Sequence, residues 1–377
     1  MKSDEIGIYV HIPFCKQKCY YCDFLSFCGK DNLIEDYIKA VKKEVKMQNI
    51  QSRITTIYIG GGTPSYIDSK YISGILKEIK KKDVAKDAEI TIEVNPGTVT
   101  REKLEQYKKC GINRLSIGLQ SIQENLLKEI GRIHDFEQFL ENYILAREIG
   151  FKNINVDLMI GLPNQRIKDI KESLEKIIEL QPEHISVYSL IVEENTPISQ
   201  EIEKGKLQLP EEDTERNMYW YVKNTLELNG YRHYEISNFA KIGYESKHNW
   251  NCWEQKEYIG FGVAAHSYRD ITRYSNTENM EEYIKNIKHE RLERNQMIHE
   301  IQKEDDKKKE YMLLGLRKIE GINISDFKNK FRDNPIYFFR NELKKLSDEK
   351  LILVDQNHIR LTNRGIDLAN LVWEEFV

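Results

Sequence analysis

The sequence predicts an α/β protein in which parallel strands are joined by helical crossovers. Two observations support this. Short β-rich runs alternate with longer amphipathic runs over about the first 230 residues, and several β-rich runs are apolar without strict alternation. Strands buried on both faces have the second property. Repeated β-then-α units form either an open doubly wound sheet or a full or partial barrel, and the pattern alone does not distinguish them.

Six strands and five crossover helices are predicted in this first region. The predicted strands, in chain order, are 6–13, 55–62, 88–96, 114–121, 153–163 and 184–192. The amphipathic helices between them are 34–47, 69–81, 101–109, 136–149 and 168–180. Glu93 and Gln120 fall at strand ends, and the first cysteines follow the first strand. Because ligands of parallel α/β folds collect at the carboxyl ends of strands, these segments predict one site.

The rest of the chain has a different character from about residues 204–210 onward. It contains an aromatic cluster at Tyr219-Trp220-Tyr221 and the segment His248-Asn249-Trp250-Asn251-Cys252-Trp253. The charged run 305–309 is interpreted as a solvated boundary. Helix-like segments follow at 310–317, 326–331 and 337–347, then a hairpin at 351–354 and 358–361 and a last helix at 364–376. Helices followed by a short hairpin resemble a winged-helix unit.

Composition argues against several classes of function. The 57 Lys and Arg residues against 61 Asp and Glu residues give a net charge of −4, which offers no general attraction to nucleic acid or anionic lipid. Residues 304–377 hold as many acidic as basic residues, whereas a DNA-reading winged helix needs a basic face. No secretory signal or membrane anchor is recognised, which predicts a cytoplasmic location. There, the six cysteines are expected to be metal ligands or core residues rather than disulfides.

Three cysteines have the spacing of a metal site. Cys15, Cys19 and Cys22 form C-x3-C-x2-C, and three thiolates in one short loop can each hold a different iron of a cubane. A ferredoxin-type cluster uses four cysteines, so three leave one iron open for chemistry. A zinc site completed by His11 or Cys28 is the alternative, and three core cysteines flanked by lysines are a poor fit.

This motif resembles the radical SAM superfamily. With the run from Gly7 to Cys15 and the segment Gly60-Gly61-Gly62-Thr63-Pro64, it is similar to the oxygen-independent coproporphyrinogen III oxidases (HemN) and their relatives, the HemW haem chaperones. The resemblance implies a [4Fe-4S] cluster that binds S-adenosylmethionine at its open iron. It also implies a partial (β/α)6 barrel with a C-terminal α+β extension that includes the winged-helix-like unit. The expected domains are the barrel at 1–230, a connecting region at 231–304 and the C-terminal domain at 305–377.

The resemblance assigns further residues to the cofactor. Tyr9 matches a tyrosine that lies against S-adenosylmethionine near the cluster, Gly62 and Thr63 match positions that receive its methionine end, and Glu93 matches an acid that binds it. A second set matches residues that contact a second S-adenosylmethionine in the oxidase: Gly61, Gln120, Arg132 and Asp157. Read without the resemblance, the glycines are ordinary turn residues and Glu93 is an ordinary strand end.

Two functions of different class follow from the resemblance. The oxidases carry a further cysteine where this chain has Phe24, which argues against oxidative decarboxylation of coproporphyrinogen III. The haem chaperones carry an H-N-x-x-Y-W motif, and this chain has His248-Asn249-Trp250-Asn251-Cys252-Trp253, with cysteine at the tyrosine position. His248 is therefore the candidate haem ligand, and a hydrogen-bonded histidine in a packed segment is the alternative. The implied partners are haem or a porphyrinogen, an electron donor and haem-accepting respiratory proteins at the membrane surface.

Overall fold

The computed structural model describes residues 4–377, and Met1–Ser3 lie outside the described residues. Six parallel strands form the centre of the fold. They are β1 (Glu5–Ile12), β2 (Arg53–Gly61), β3 (Val84–Val94), β4 (Arg114–Gln120), β5 (Ile154–Ile160) and β6 (His184–Ser189). Each strand pairs with the next one along the chain, in parallel. Strand neighbours that follow chain order in one direction are typical of a barrel, whereas a doubly wound sheet reverses its order. The α/β class and the partial barrel are confirmed.

Helices cross over between these strands. They are α1 (Ile34–Met47), α2 (Ser69–Ile79), α3 (Arg101–Lys109), α4 (Glu124–Glu129), α5 (Phe136–Ile149) and α6 (Ile167–Glu179). The limits of α1, α3 and α5 agree with the sequence prediction. The start of α5 is fixed by its cap, because Asp135 Oδ1 accepts from the Gln138 N–H (2.8 Å), which is otherwise unpaired at a helix start. The short helix α4 was not predicted, since six residues carry little periodicity.

The sheet continues beyond the barrel strands at both sides. After α7 (Pro197–Glu203) and α8 (Glu212–Leu228), the strands β7 (Arg232–Glu235) and β8 (Asn238–Ala240) extend the β6 side. After α9 (Lys247–Trp253), the strand β9 (Tyr258–Phe261) pairs in parallel with β1. The β1 side is then extended by β10 (His266–Arg269), β11 (Thr272–Asn276) and β12 (Gln296–Ile301), with α10 (Met280–Lys288) between β11 and β12. Twelve strands of the described chain thus form one sheet, with β12 and β7 at its edges.

Alternation along the strands separates an apolar layer from a polar interior. Ile57 and Ile59 of β2 are fully buried and belong to the main core, which packs under the crossover helices. Thr56 and Tyr58 alternate with them and point to the opposite face, the inside of the barrel, because successive side chains of a strand point to opposite faces. Polar side chains on this inner face are therefore available to a ligand.

A smaller unit with its own apolar core ends the chain. It contains α11 (Glu304–Gly315), β13 (Ile322–Asn323), α12 (Ile324–Phe331), α13 (Pro335–Phe338), α14 (Arg340–Asp348), β14 (Ile352–Val354), β15 (His358–Leu361), α15 (Asn363–Asp367) and α16 (Ala369–Glu374). The charged run 305–309 is not a solvated linker but forms the first turns of α11, with Lys308 buried, and the domain boundary placed beside it stays a prediction. Asp306 caps that helix by accepting from the Lys303 N–H (2.8 Å). The last predicted helix is two short ones, α15 and α16. None of the helices in residues 4–377 combines the length and apolarity needed to cross a bilayer.

Candidate functional site

Three cysteine side chains line one cavity at the carboxyl ends of the barrel strands. Cys15, Cys19 and Cys22 follow β1 in a short loop, and the cavity that they line has a volume of about 510 Å³. The loop is fixed at its base by backbone hydrogen bonds. The Cys15 N–H donates to the Phe27 carbonyl (3.0 Å), and the Phe27 N–H donates to the Pro13 carbonyl (2.7 Å). The first cysteine is therefore held in place before any ligand binds.

The cysteine thiols are not arranged as ligands of a single metal ion. Within residues 4–377, no three His, Cys, Asp or Glu side chains lie close enough together to hold a single metal ion. His11, one candidate for completing a zinc site, uses both ring nitrogens: Nε2 donates to the Leu25 carbonyl (2.9 Å) and Nδ1 accepts from the Tyr9 hydroxyl (3.0 Å). Cys28, the other candidate, is exposed. Three thiols that line one open cavity fit a polynuclear cluster, in which each iron takes one thiolate.

The loop cysteines need a nearby cation to become thiolates. Burial raises the pKa of the Cys15 thiol, and it raises the pKa of the Cys22 thiol to about 11. Iron ions would offset that burial penalty, because a bound cation favours the thiolate. The Arg132 guanidinium adds a fixed positive charge, since its Nη1 lies 3.5 Å from Cys19 Sγ and also donates to Asn95 Oδ1 (3.0 Å). The donor set therefore suits a cluster held by three thiolates.

Two glycines at the end of β2, Gly61 and Gly62, allow the chain to pass close to the cysteine loop. A Cβ on Gly62 would lie 3.0 Å from Cys15 Sγ, and one on Gly61, which has φ +112°, would lie 2.5 Å from His11 Nδ1. The N–H groups of Gly62 and Thr63 donate to carbonyls of the segment that leads into the loop (both 2.9 Å). These N–H groups are thus already paired, and the Thr63 hydroxyl lies 3.3 Å from Cys15 Sγ.

Two carboxylates lie on the floor of the same cavity. Glu93 accepts from the Tyr58 hydroxyl at Oε1 (2.9 Å) and from the Gly61 N–H at Oε2 (3.1 Å). Asp157 accepts from Asn155 Nδ2 at Oδ1 (2.6 Å). Burial raises the pKa of Asp157, and it raises the pKa of Glu93 to about 7, against the lowering effect of the Tyr58 hydrogen bond. A cationic ligand group would favour the charged form of both side chains.

Gln120 and Tyr9 occupy contrasting positions. Gln120 ends β4 with φ +70°, a left-handed conformation that is uncommon for a residue with a side chain, and it lines the cavity. Backbone strain of this kind concentrates at functional sites. Tyr9 does not line the cavity and lies beneath it, with its ring 6.4 Å from that of Tyr58 and with its pKa raised by burial.

His248 lies on α9, inside the barrel and away from the cysteine loop. Its side chain is buried at 7 % exposure, and its Nδ1 is 2.9 Å from the Thr56 hydroxyl. Its ring stacks on Tyr58, with ring centroids 5.3 Å apart and an angle of 28° between the planes. Burial lowers the pKa of His248 to about 4, so the ring is neutral at physiological pH. A neutral imidazole whose Nδ1 is hydrogen-bonded has its Nε2 available for a metal.

A second cavity, of about 700 Å³, opens at the amino ends of β1–β3. We call it the amino-end cavity. Helix α9 contributes Lys247, Trp250 and Asn251 to its wall, and Thr56, the hydrogen-bond partner of His248, lies on the wall as well. The barrel therefore has a cysteine-lined cavity at one end and the amino-end cavity at the other, with His248 and Tyr58 between them.

Comparison with known proteins identifies the family. Residues 9–177 match the Radical SAM superfamily and residues 303–368 match the HemN C-terminal domain. The chain is 36 % identical to the haem chaperone HemW of Lactococcus lactis, covering 98 % of this chain and 96 % of the relative, and 37 % identical to that of Bacillus subtilis, covering 98 % of each. The chain belongs to the HemW family of the radical SAM superfamily. Coproporphyrinogen III oxidase (HemN) from Escherichia coli has the same fold, with a TM-score of 0.86 at 23 % identity over 100 % of this chain and 91 % of that one.

Membership in the HemW family gives the cavities a chemical context. The radical SAM superfamily implies a [4Fe-4S] cluster and S-adenosylmethionine. The residues predicted from the sequence that line the cysteine cavity are Cys15, Cys19, Cys22, Gly61, Gly62, Thr63, Glu93, Gln120, Arg132 and Asp157. Tyr9 and His248 are not among its lining residues. Apart from Tyr9, the two sets that the resemblance assigned to two S-adenosylmethionine molecules thus share one cavity.

Several residues that line the cysteine cavity were not predicted from the sequence. Tyr58, Asn95 and Tyr188 line the cysteine cavity, and the first two hold Glu93 and Arg132 in position. A signal for Tyr58 was present: it stands two residues before Gly60 in a strand, so it shares the inner face with the glycine segment. Asn95 follows Glu93 by two residues and is identified by the same alternation.

Proposed function

We propose that this protein is a haem chaperone that holds a [4Fe-4S] cluster on Cys15, Cys19 and Cys22, binds S-adenosylmethionine in the same cavity and carries haem at the other end of the barrel. The observation that supports the first part is the grouping of three thiols, a glycine segment and two carboxylates on one cavity wall. In this proposal the barrel (1–230) holds the cluster and the connecting region (231–304) holds haem. The C-terminal domain (305–377) packs against α9, the helix that carries His248.

The side chains of the cysteine cavity have distinct tasks in this proposal. When bound, the cluster offers an open iron and an electron to S-adenosylmethionine. Glu93 and Asp157 attract the cationic part of that molecule, which carries a sulfonium and an amino group. Arg132 lies next to Cys19 and balances the negative charge of the thiolates. Gly62 keeps the chain clear of Cys15, so that the ligand has access to the metal.

Haem binding is assigned to His248 and the amino-end cavity. The cysteine cavity has to hold a cluster and S-adenosylmethionine within about 510 Å³, which leaves the larger amino-end cavity for a tetrapyrrole. The Thr56 hydroxyl accepts a hydrogen bond from His248 Nδ1 in the tautomer that leaves Nε2 to ligate iron. Trp250 lies on the wall, where an indole can cover a porphyrin face. Haem would then pass to respiratory acceptor proteins, and an external electron donor would reduce the cluster.

Iron and sulfide analysis after anaerobic reconstitution tests the cluster. We expect four irons and four sulfides per chain, and an electron paramagnetic resonance signal of the reduced protein that changes when S-adenosylmethionine is added. Cys19→Ser should lose the cluster, whereas Cys110→Ser, which changes a partly buried cysteine at the end of α3, should keep it. A wild-type protein that holds zinc alone, or a signal that ignores S-adenosylmethionine, would contradict the proposal.

Absorption spectroscopy with added haem tests the chaperone part. We expect a stable Soret shift in the wild type that is lost in His248→Ala and kept in His289→Ala, an exposed histidine that ends α10. The same preparation is assayed anaerobically for conversion of coproporphyrinogen III to protoporphyrinogen IX. Turnover without haem binding would favour the oxidase instead. Phe24, at the position where the oxidases have a cysteine, is 65 % exposed at the rim of the cysteine cavity.

A further inference from the structure

We infer that Tyr58 couples the two ends of the barrel, so that S-adenosylmethionine bound at Glu93 strengthens haem binding at His248. This inference rests on the proposed function. Tyr58 is the side chain that contacts both candidate binding residues: its hydroxyl donates to Glu93 Oε1 (2.9 Å), and its ring stacks on the His248 ring at 5.3 Å. It is therefore a positioning residue between the two cavities.

The carboxylate of Glu93 has both oxygens in use before any ligand arrives. Oε2 accepts from the Gly61 N–H (3.1 Å), which belongs to the backbone at the end of β2 and has little freedom to move. Oε1 accepts from the Tyr58 hydroxyl, which ends a side chain that can rotate. A hydroxyl or ammonium group of S-adenosylmethionine that binds Glu93 competes for these oxygens, and the tyrosine hydroxyl is the donor that gives way.

Release of the Tyr58 hydroxyl from Glu93 makes it easier for the His248 ring to move. The Tyr58 ring packs on one face of the imidazole, while the Thr56 hydroxyl holds Nδ1 and the chain passes close at Gly7. His248 is 7 % exposed and is not among the residues that line the amino-end cavity, so its Nε2 reaches a haem iron there only after the imidazole moves away from Tyr58. A tyrosine no longer anchored to Glu93 opposes that movement less, so S-adenosylmethionine lowers the free energy needed to ligate haem.

The coupling is measured as the ratio of haem dissociation constants without and with saturating S-adenosylmethionine, on anaerobically reconstituted full-length protein. We expect a ratio of about five or more in the wild type, which is the lower end of typical couplings. Haem should tighten S-adenosylmethionine binding by the same factor, because linkage is reciprocal. Tyr58→Phe keeps the stacked ring and removes the hydroxyl, so its ratio should fall to about one. Tyr231→Phe, which removes a buried hydroxyl that donates to the Pro182 carbonyl elsewhere, should keep the wild-type ratio.

The outcomes separate this inference from the proposed function. A wild-type protein that binds no haem contradicts the proposed function. A wild type that binds both ligands with a ratio of one or less, or a Tyr58→Phe variant that keeps the wild-type ratio, overturns the coupling alone. Hydrogen–deuterium exchange on the cluster-loaded wild type gives a second measurement that needs no variant. S-adenosylmethionine should speed amide exchange in α9, and unchanged exchange there would also overturn the inference.

Discussion

The charges of individual side chains divide the cysteine cavity into two parts. Arg132 lies beside Cys19, where thiolates and a cluster concentrate negative charge, and Glu93 and Asp157 lie on the floor, where the cationic ligand is proposed to bind. Opposite charges placed this way attract a ligand that has a carboxylate as well as a cationic amino group and a sulfonium. At the residue scale, the cavity is therefore matched to a zwitterionic partner.

The amino-end cavity carries cations suited to the propionates of haem. Arg232 lies within 4 Å of two carboxylates, of Glu245 and Glu320, and Lys256 is paired with Glu254. Among the described residues, no carboxylate lies within ion-pairing distance of Arg53 or Lys247, which line the same wall. Within residues 4–377, Arg53 and Lys247 are therefore the candidates for binding haem carboxylates, because Arg232 and Lys256 already lie beside carboxylates.

Neutralising Arg53 and Lys247 should remove the protein's preference for haem with free propionates over haem with esterified propionates. We expect the wild type to bind haem at least tenfold more tightly than haem dimethyl ester, because each charge-assisted hydrogen bond contributes about 1.5–3 kcal/mol. In Arg53→Gln/Lys247→Gln the two affinities, measured by Soret titration, should become equal. The control Arg101→Gln/Lys77→Gln changes the same charge on exposed outer helices. A double variant that still discriminates against the ester would refute this assignment.

Individual residues of the site were predictable from the sequence to different degrees. The cysteines were identified from their spacing, and Glu93 and Gln120 from their place at strand ends, because parallel strands bring their carboxyl ends together. The location of His248 was not predictable, since its distance from the cysteine loop depends on where α9 enters the barrel. The role of Tyr58 depends on two contacts across the fold, with residues 35 and 190 positions away.

At the scale of elements, long amphipathic segments were predicted well and short ones were not. Helices α1, α3 and α5 each bury an apolar face, and the side chains of Thr100 and Asp135 cap α3 and α5. The strands β9–β12 have four to six residues each and carry too little pattern to show that they extend the barrel sheet. The helical conformation of the charged run that begins α11 was not predicted, because acidic residues suit the first turn of a helix as well as a solvated loop.

Glu89 holds the element that carries the proposed haem ligand. Its carboxylate accepts from the N–H groups of Lys247 and His248 (both 3.1 Å), so it satisfies orphan donors at the start of α9. Glu89→Ala should lower stability by about 1–2 kcal/mol and weaken haem binding, since the first two N–H groups of α9 lose their acceptor. Cluster content and S-adenosylmethionine affinity should stay at wild-type values. Thermal unfolding and Soret titration measure the effect, and Asp68→Ala, which removes the cap of α2, should lower stability without affecting haem.

Glu44 ties helix α1 to the loop after β9 and to α10. The side chain is 1 % exposed, and it accepts from the Gly262 N–H (2.9 Å), Asn276 Nδ2 (2.7 Å) and the Tyr283 hydroxyl (2.5 Å). Burial raises the pKa of Glu44 from its ordinary 4.5 to about 7. Between those pH values the folded state binds more protons than the unfolded state, so the free energy of unfolding falls as pH rises through this window.

Glu44→Gln should therefore lose stability relative to the wild type most at pH 5 and less at pH 8. The difference in free energy of unfolding between the wild type and Glu44→Gln should shrink by roughly 2–3 kcal/mol from pH 5 to pH 8, since one pKa unit corresponds to about 1.4 kcal/mol. Thermal midpoints measured between pH 5 and 8 check this. Glu78→Gln is the control, because a hydrogen bond from Lys81 lowers the pKa of Glu78 and its contribution is constant above pH 5. A gap for Glu44→Gln that stays constant or widens would contradict the argument.

At the scale of the whole molecule, the C-terminal unit packs against the proposed haem-carrying helix through cations and indoles. The Arg317 guanidinium lies over the rings of Trp253 on α9 and Trp373 on α16, at 4.5 and 4.9 Å. The Lys318 ammonium lies 5.1 Å from the ring of Trp250. These contacts join the unit that matches the HemN C-terminal domain to the segment that resembles the haem motif. The C-terminal unit and the barrel nevertheless have separate hydrophobic cores.

Arg317→Ala should loosen this junction while both cores stay folded. Two cation–π contacts contribute about 1–3 kcal/mol together, and Glu235, which is fully buried, loses the cation that lies 3.9 Å away. We expect limited proteolysis near residues 302–304 to speed up and haem to dissociate several-fold faster from the loosened α9. Arg360→Ala, on the exposed hairpin of the same unit, is the matched control. If Arg317→Ala is cleaved faster but releases haem at the wild-type rate, the C-terminal unit supports the fold without taking part in haem retention. If the rate of cleavage is unchanged, the stacked guanidinium does not hold the two units together.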